Sequence, residues 1–295
     1  MVKVLLDTDI GSDIDDAVCL AYLLKQKNCS LMGITTVSGE PEKRAMLADA
    51  LCQQAGVDVP IHSGISEPLL AKQIQPRAGQ AASLTAWKHR TDFQPNSAVT
   101  FLRDTIVSHP GEITLLAIGP LTNIGLLFST YPETVSLLKE VVLMAGRFFP
   151  PGAASSIVEW NVQADPHAAA IVCRAPVKKL TTIGLDVTCQ VKMAQQEVMQ
   201  AFQAEILRPV LDFSTHWFAQ AQAEIIFHDP LAAAILFEPD ICGYKRGRIS
   251  VELGEGRLMG FTHFDPGDSA DCNHYVASSV DSARFFSHYF DTVNG

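Results

Sequence analysis

Short β-branched runs alternate with amphipathic stretches of helical period along most of the chain, and this alternation restricts the fold more than any other feature. Residues 2–7 read as a strand and 16–27 as a helix, Leu31 to Val37 as a strand, 41–55 as a helix, and Val59 to His62 as a short strand. A helix over 97–109 leads into the run Ile113 to Ile118. A helix from about 121, a strand at 141–145, a helix at 165–174 and a strand at 177–185 follow. Repeated β-α-β units with crossovers of this length imply parallel strands covered by helices. The pattern predicts one α/β domain over 1–295, with a mostly parallel, Rossmann-like sheet and helices on both faces. Residues 193–240 read as wholly helical, 244–252 and 257–264 as a late β-hairpin, and 279–292 as a closing helix. The least regular part, 65–96, reads as a surface flap.

Composition narrows the class of partner. With 47% apolar and 18% charged residues among 295, the chain can bury a large core. No run approaches the roughly 18 apolar residues of a membrane span. The chain enters Val2-Lys3-Val4-Leu5-Leu6 directly, as a strand rather than a signal peptide. Seven cysteines are scattered and never spaced Cys-x-x-Cys, which speaks against a disulfide framework or a zinc site and suits a reducing cytoplasm. A net charge of −10 repels nucleic acid and acidic membranes. The short cluster Lys245-Arg246-Gly247-Arg248 reads as a solvated hairpin edge. A small neutral or cationic molecule, or a metal cation, fits this balance.

In open α/β sheets ligands sit beyond the carboxyl ends of the strands. Those ends carry Asp7 and Asp9, Gly39 and Glu40, Ile118 and Gly119, Met144 to Gly146, and Asp186. The first is the most telling, because the strand runs into Asp7-Thr8-Asp9-Ile10-Gly11-Ser12-Asp13-Ile14-Asp15-Asp16-Ala17. Asp15 and Asp16 fall at a helix start, where the dipole favours negative charge. An acidic helix start and a solvated turn would account for two carboxylates. Five in ten residues repel one another and call for a cation. A hard divalent ion with oxygen ligands, Ca²⁺ above all, answers that need. The lack of nearby cysteine or histidine argues against zinc.

Asp-x-Asp-x-Gly followed by Asp-Asp-Ala after a first strand resembles the signature of the inosine-uridine-preferring nucleoside hydrolase family. Later segments agree in order: Gly33-Ile34-Thr35-Thr36-Val37-Ser38-Gly39, Ile118-Gly119-Pro120-Leu121-Thr122-Asn123-Ile124, and Met144-Ala145-Gly146. Glu159-Trp160-Asn161 with Asp165-Pro166 resembles the family's Glu-Phe-Asn…Asp-Pro, and His228-Asp229-Pro230 its His-Asp pair. The similarity spans about 1–240. It implies a Ca²⁺-dependent hydrolase that splits ribonucleosides into ribose and base, in a homodimer or homotetramer. Carried over, the metal ligands are Asp9, Asp16, the main-chain carbonyl of Ile118, and Asp229. Asp9 is also the base that activates water held at the metal. Asp15 and Asn161 are implied to bind ribose hydroxyls and Glu159 the 5′-hydroxyl, with Met144 lining the sugar pocket. His228 is placed to protonate or hydrogen-bond the departing base. Asp7 lies behind the ligands, and Asp13 has no assigned role.

Four features depart from the family pattern. Two extra residues separate Gly11 from the Asp15-Asp16 pair, compared with the shortest form of the motif. Glu40 stands where asparagine or aspartate is common, as a candidate substrate contact or the start of the next helix. The loop 147–156, with Phe148-Phe149-Pro150-Pro151, is more apolar and lacks an asparagine. The flap has Arg77-Ala78-Gly79-Gln80 in place of a His-Gly segment. Two alternatives share the fold: an idle nucleoside- or sugar-binding protein, and a hydrolase of another N-riboside such as nicotinamide riboside. A dehalogenase-type phosphatase, with Asp7 as nucleophile and Asp9 as acid, needs a lysine and an acidic pair that the strand ends at Ile118 and Met144 do not supply.

Overall fold

The computed structural model describes residues 1–149, 156–220, 222–269 and 272–295, so the middle of the apolar loop 147–156, Pro150 and Pro151 included, lies outside the described residues. Nine strands form one sheet. They are β1 (Val2–Thr8), β2 (Cys29–Thr36), β3 (Ile61–Ser63), β4 (Ile113–Ala117), β5 (Glu140–Met144), β6 (Leu180–Ile183), β9 (Cys242–Val251), β10 (Thr262–Pro266) and β11 (His274–Val280). A separate antiparallel pair is made by β7 (Lys192–Ala194) and β8 (Glu224–Ile226). The main sheet runs β10-β9-β11-β6-β5-β4-β1-β2-β3. It is parallel from β3 through β11 and antiparallel only where β9 meets β11 and β10. The α/β class and the mostly parallel sheet are as the alternation predicts.

Strand side chains alternate between faces, and the core divides accordingly. Val4, Leu6, Leu116 and Val142 enter one apolar layer; Leu5, Leu115, Ala117, Val141 and Leu143 enter the other. Helices cover both. The first layer includes buried residues of α1 (Asp15–Lys25), α2 (Pro41–Ala55), α11 (His228–Ala234) and α12 (Ser282–Asn294); the second, those of α3 (Ala98–Ser108), α4 (Thr122–Thr130) and α7 (Pro166–Arg174). The remaining helices are the short α5 (Glu133–Leu137), α6 (Trp160–Ala164), α8 (Leu185–Thr188) and α9 (Gln195–Ala201), and α10 (Arg208–Phe218). Sequence explains the ends of α12. Asp281 caps it by accepting from the Arg284 N–H at 3.0 Å, and Phe285, Tyr289 and Val293, four residues apart, bury one face.

Three expectations need correction. Residues 193–240 are not wholly helical, because β8 lies among them; three-residue strands such as Lys192–Ala194 and Glu224–Ile226 are too short to show a period. The late hairpin forms, but a third strand, β11, inserts between β9 and β6. Its Ala277-Ser278-Ser279 lacks β-branched residues, and pairing on both sides holds it extended. The closing helix starts at Ser282 rather than 279 for the same reason.

The topology selects the site. From β1 the chain adds β2 and β3 on one side, then crosses to β4 on the other, so the connections leaving β1 and β4 part at the carboxyl ends of these paired strands. Such a switch point opens a crevice, and Asp9 and Ile118 lie just past the two strand ends.

His274, at the start of β11, ties this sheet to pH. Its Nδ1 accepts the Ile249 N–H at 2.8 Å, so the ring must be neutral there, and burial, with Arg248 adding to it, pushes its pKa from 6.5 down to about 4. The unfolded chain takes up the proton first as pH falls, so this contribution is intact above pH 6.5 and is lost progressively towards pH 4. Thermal melts at pH 7 and pH 4.5 should show a larger drop in Tm for the wild type than for His274→Asn, whose amide oxygen accepts the same N–H without titrating.

Candidate active site

At the switch point a cavity of about 550 Å³ opens, within the range of small-molecule sites. It is lined by Asp9, Asp13, Asp15 and Asp16 from the first motif, Ile118 after β4, Met144 at the end of β5, Glu159 and Asn161, and His228 and Asp229. The fold thus brings together every site residue named from the sequence except Glu40.

Glu40 takes the second of its two readings, at the start of the next helix. Its backbone is left-handed (φ 58°, ψ 47°), and its carboxylate meets the Lys43 ammonium at 2.6 Å and accepts the Ala78 N–H at 3.0 Å. Asparagine tolerates that backbone region better than glutamate does. Glu40 therefore fastens the flap to the start of α2 and does not line the cavity.

Asp15, Asp16 and Asp229 form the tightest oxygen cluster among the described residues, with one carboxylate oxygen from each within 4.8 Å of the others. The first two begin α1, and the third lies in the first turn of α11, which packs against α1. The Asp229 N–H donates to Asp15 Oδ2 at 3.1 Å, and the Thr8 hydroxyl to Asp16 Oδ1 at 2.5 Å. Burial, and then repulsion from neighbouring aspartates, Asp9 and Asp13 among them, hold all three carboxyls well above the usual carboxylate range. Asp9 is raised too, chiefly by burial, with the Arg44 guanidinium and the Gln75 amide pulling it back.

This donor set suits a divalent cation. Carboxylates 3% exposed at Asp15, Asp16 and Asp229 cannot all ionise in an apolar surround without added positive charge. Two oxygens on one Ca²⁺ can stand up to about 5 Å apart, which matches the observed spread. Ile118 lines the same cavity; its carbonyl accepts one hydrogen bond, from Asn161 Nδ2 at 2.8 Å, and a carbonyl has a second lone pair. Compared with the sequence reading, Asp15 joins the compact cluster, and Asp9 stands in the same cavity beside it.

Other side chains are held from behind. Asp7, fully buried, accepts from Thr35 at 2.5 Å and Asn123 at 2.7 Å through Oδ1, and burial lifts its pKa to about 7. Glu159 caps α6, taking the N–H groups of Asn161, Val162 and Gly146, yet burial still lifts it to about 7. Asn161 Nδ2 also reaches the Met144 carbonyl at 3.0 Å, leaving Oδ1 as its acceptor for a ligand hydroxyl. His228 Nδ1 meets the Thr188 hydroxyl at 2.7 Å, and burial lowers its pKa to about 4, so the ring is neutral at pH 7.

The residues matched by the nucleoside hydrolase family model, described as inosine-uridine preferring nucleoside hydrolase, run from 4 to 287. The chain belongs to that family. It is therefore a hydrolase acting on N-glycosyl bonds. An inosine-uridine preferring nucleoside hydrolase of Leishmania major is 32% identical over 308 residues, covering 99% of this chain and 97% of its own. Uridine nucleosidase 1 of Arabidopsis thaliana is 29% identical, covering 90% and 82%. A purine-preferring ribonucleoside hydrolase from Gardnerella vaginalis superposes with a TM-score of 0.85 at 25% identity, over 99% of this chain and 98% of its own.

Sequence reasoning missed two residues. Arg44, 0% exposed on α2, donates to the Gly39 carbonyl at 2.9 Å, the Ile10 carbonyl at 3.2 Å and the Asp9 carbonyl. A helical lysine-arginine pair reads as solvated surface, and only the three-dimensional return of the chain buries the arginine. Gln75, from the flap, touches Asp9 and carries no sequence signal at all.

The two unusual segments fit each other. Gln80 of the flap gives its N–H to the Gly11 carbonyl at 3.1 Å and its amide to the carbonyls of Ser12 and Asp13 at 3.1 and 2.8 Å. The longer motif loop is thus bound by the altered flap.

Two outcomes follow from this geometry. Adding a divalent cation at a hundred times its Kd to chelator-stripped protein should stabilise it by about 2.7 kcal/mol, read as a rise in Tm; Asp16→Asn should largely remove the rise. Glu40→Gln should leave KM for a nucleoside within about threefold of wild type, since single-contact losses worth more than that require contact with the substrate.

Proposed function

We propose that this chain is a Ca²⁺-dependent ribonucleoside hydrolase that releases ribose and free base, with Asp9 as the general base. The observation that carries the reading is the convergence of Asp9, the Asp15–Asp16–Asp229 cluster and the Ile118 carbonyl in one nucleoside-sized cavity at the switch point. Asp9, Asp16, Asp229 and the Ile118 carbonyl would hold the ion, with Asp15 reaching the ribose hydroxyls. Bound there, Ca²⁺ supplies a positive field that orients water and sugar hydroxyls, but it is too weak a Lewis acid to ionise water alone at neutral pH.

A carboxylate base is therefore needed. Asp9 takes a proton from the attacking water as its oxygen bonds to C1′ and the C1′–N bond breaks. The ribosyl ring passes through an oxocarbenium-like state, and the surrounding carboxylates stabilise its positive charge. Asn161 and Glu159 grip the sugar hydroxyls, and Met144 covers the ring. His228, neutral at pH 7, hydrogen-bonds the departing base, which leaves as its anion and takes a proton from solvent, while Asp9 gives the water proton back to solvent. The seven cysteines, all free, fit a reducing cytoplasm. No helix among the described residues is long and apolar enough to cross a membrane.

Ribose release from inosine, uridine, cytidine, adenosine and nicotinamide riboside tests the proposal and ranks the leaving groups. Wild type should release ribose from at least one, and chelator should abolish it. Asp9→Asn should lower kcat by about 10² to 10⁴, the usual contribution of a general base. The matching 2′-deoxynucleoside should lose roughly 100-fold or more in kcat/KM, because a buried carboxylate is left without its hydroxyl. Calcium binding without release of ribose from any of these would overturn the assignment.

A further inference from the structure

The flap residue Gln75 stands out because it is 6% exposed between the exposed Ile74 and Pro76. Its side chain reaches inward to two partners. Gln75 Oε1 accepts the Trp160 indole N–H at 2.5 Å, and Gln75 Nε2 donates to Asp9 Oδ2 at 2.5 Å. We propose that Gln75 is a positioning residue for the catalytic base, oriented by Trp160, so that Trp160–Gln75–Asp9 forms a directed chain from the cavity mouth to the base. The inference rests on the reading of Asp9 given above.

The direction of the chain follows from donor chemistry. An indole nitrogen can only donate, so the Gln75 atom facing it must be the carbonyl oxygen, and the amide nitrogen must then face Asp9. Gln75 presents donors to Asp9 and nothing else, which favours the ionised carboxylate that a base requires. A phenylalanine at the Trp160 position would have no such donor and would leave the amide free to turn.

Both oxygens of Asp9 are constrained. Oδ2 is held by Gln75. Oδ1 lies so close to Gly119 that a Cβ there would come within 2.8 Å of it. The Asp9 main chain is held separately, through its carbonyl, by Arg44. The flap itself rests on the β2–α2 turn because Gly39 has no side chain; a Cβ there would stand 2.5 Å from Pro76 and 2.6 Å from the Gln75 carbonyl. Trp160 is 48% exposed, so it can hold Gln75 and still face whatever enters the cavity that it lines.

A double-mutant cycle on the full-length, Ca²⁺-saturated enzyme tests the chain, with steady-state kinetics on the best ribonucleoside and Tm measured alongside. Gln75→Met, which keeps length and removes both hydrogen bonds, should lower kcat about ten- to a hundredfold with KM within about threefold, as for a misaligned catalytic group. Trp160→Phe, at a half-exposed position that tolerates the change, should lower kcat about three- to tenfold. In the Gln75→Met background the same replacement should have no further effect, because its action passes through the amide. A Gln75→Met kcat within twofold of wild type, or effects of the two replacements that simply multiply, would overturn the inference. Wild type and Asp9→Asn run in parallel keep the two failures apart: a wild type that releases no ribose refutes the proposed function, whereas active wild type with unaffected Gln75→Met refutes only the positioning role.

Discussion

The structure turns on crowded negative charge that the fold has taken out of water. Asp9, Asp15, Asp16 and Asp229 share one cavity; burial raises the pKa of all four, and neighbouring aspartates raise those of Asp15, Asp16 and Asp229 further. Isolated burial of a carboxylate costs several kcal/mol. Arg44 answers part of this charge, and burial lowers even its pKa. Yet its hydrogen bonds go to carbonyls of the loop carrying Asp9, of Gly39 in the turn before α2 and of the flap rather than to the carboxylates themselves. Arg44 therefore fixes the loop and supplies a background field, and the carboxylate oxygens stay available for a cation and a substrate.

That arrangement depends on the sheet. β1 is buried on both faces, and its Thr8 and Asp7 carbonyls continue the ladder to Val37 and Ile118 past the strand ends. The carboxylates thus hang from a strand that is paired on both sides and buried at its carboxyl end, at the point where neighbouring crossovers part. Two helices starting at the same place, α1 and α11, bring Asp15, Asp16 and Asp229 together, and the Asp15–Asp229 backbone contact locks their spacing.

How much of this was legible follows from the range of each signal. The 41–55 helix has the same limits in sequence and structure, because Pro41 starts it and its local period is unbroken. The strand ends near Asp9, Ile118 and Met144 were legible because buried parallel strands read as continuous apolar runs. The aspartates were legible because they are adjacent in sequence and too many for a solvated turn. What escaped has non-local causes. β11 is held by its neighbours, Arg44 is buried by a returning loop, and Gln75 reaches Asp9 across 66 residues. Sequence leaves Glu40 open between a substrate contact and a helix start, because only its left-handed backbone turns the carboxylate to Lys43 and Ala78.

The departures from the family pattern then acquire a common physical cause. The acidic side of the cavity is built from strand ends and helix starts, whose positions are set by the whole core. The mouth is built from loop segments, the flap and the stretch around Trp160, which can change without moving that frame. But a loop that changes must still satisfy buried polar groups. The longer Gly11-to-Asp15 segment exposes carbonyls that need donors, and Gln80 supplies them; the flap must be tied down, and Glu40 accepts its Ala78 N–H; the indole of Trp160 needs an acceptor, and Gln75 provides one. Each of these contacts ties one loop to another beside the acidic cavity, and none of them displaces the strand ends and helix starts that carry its carboxylates.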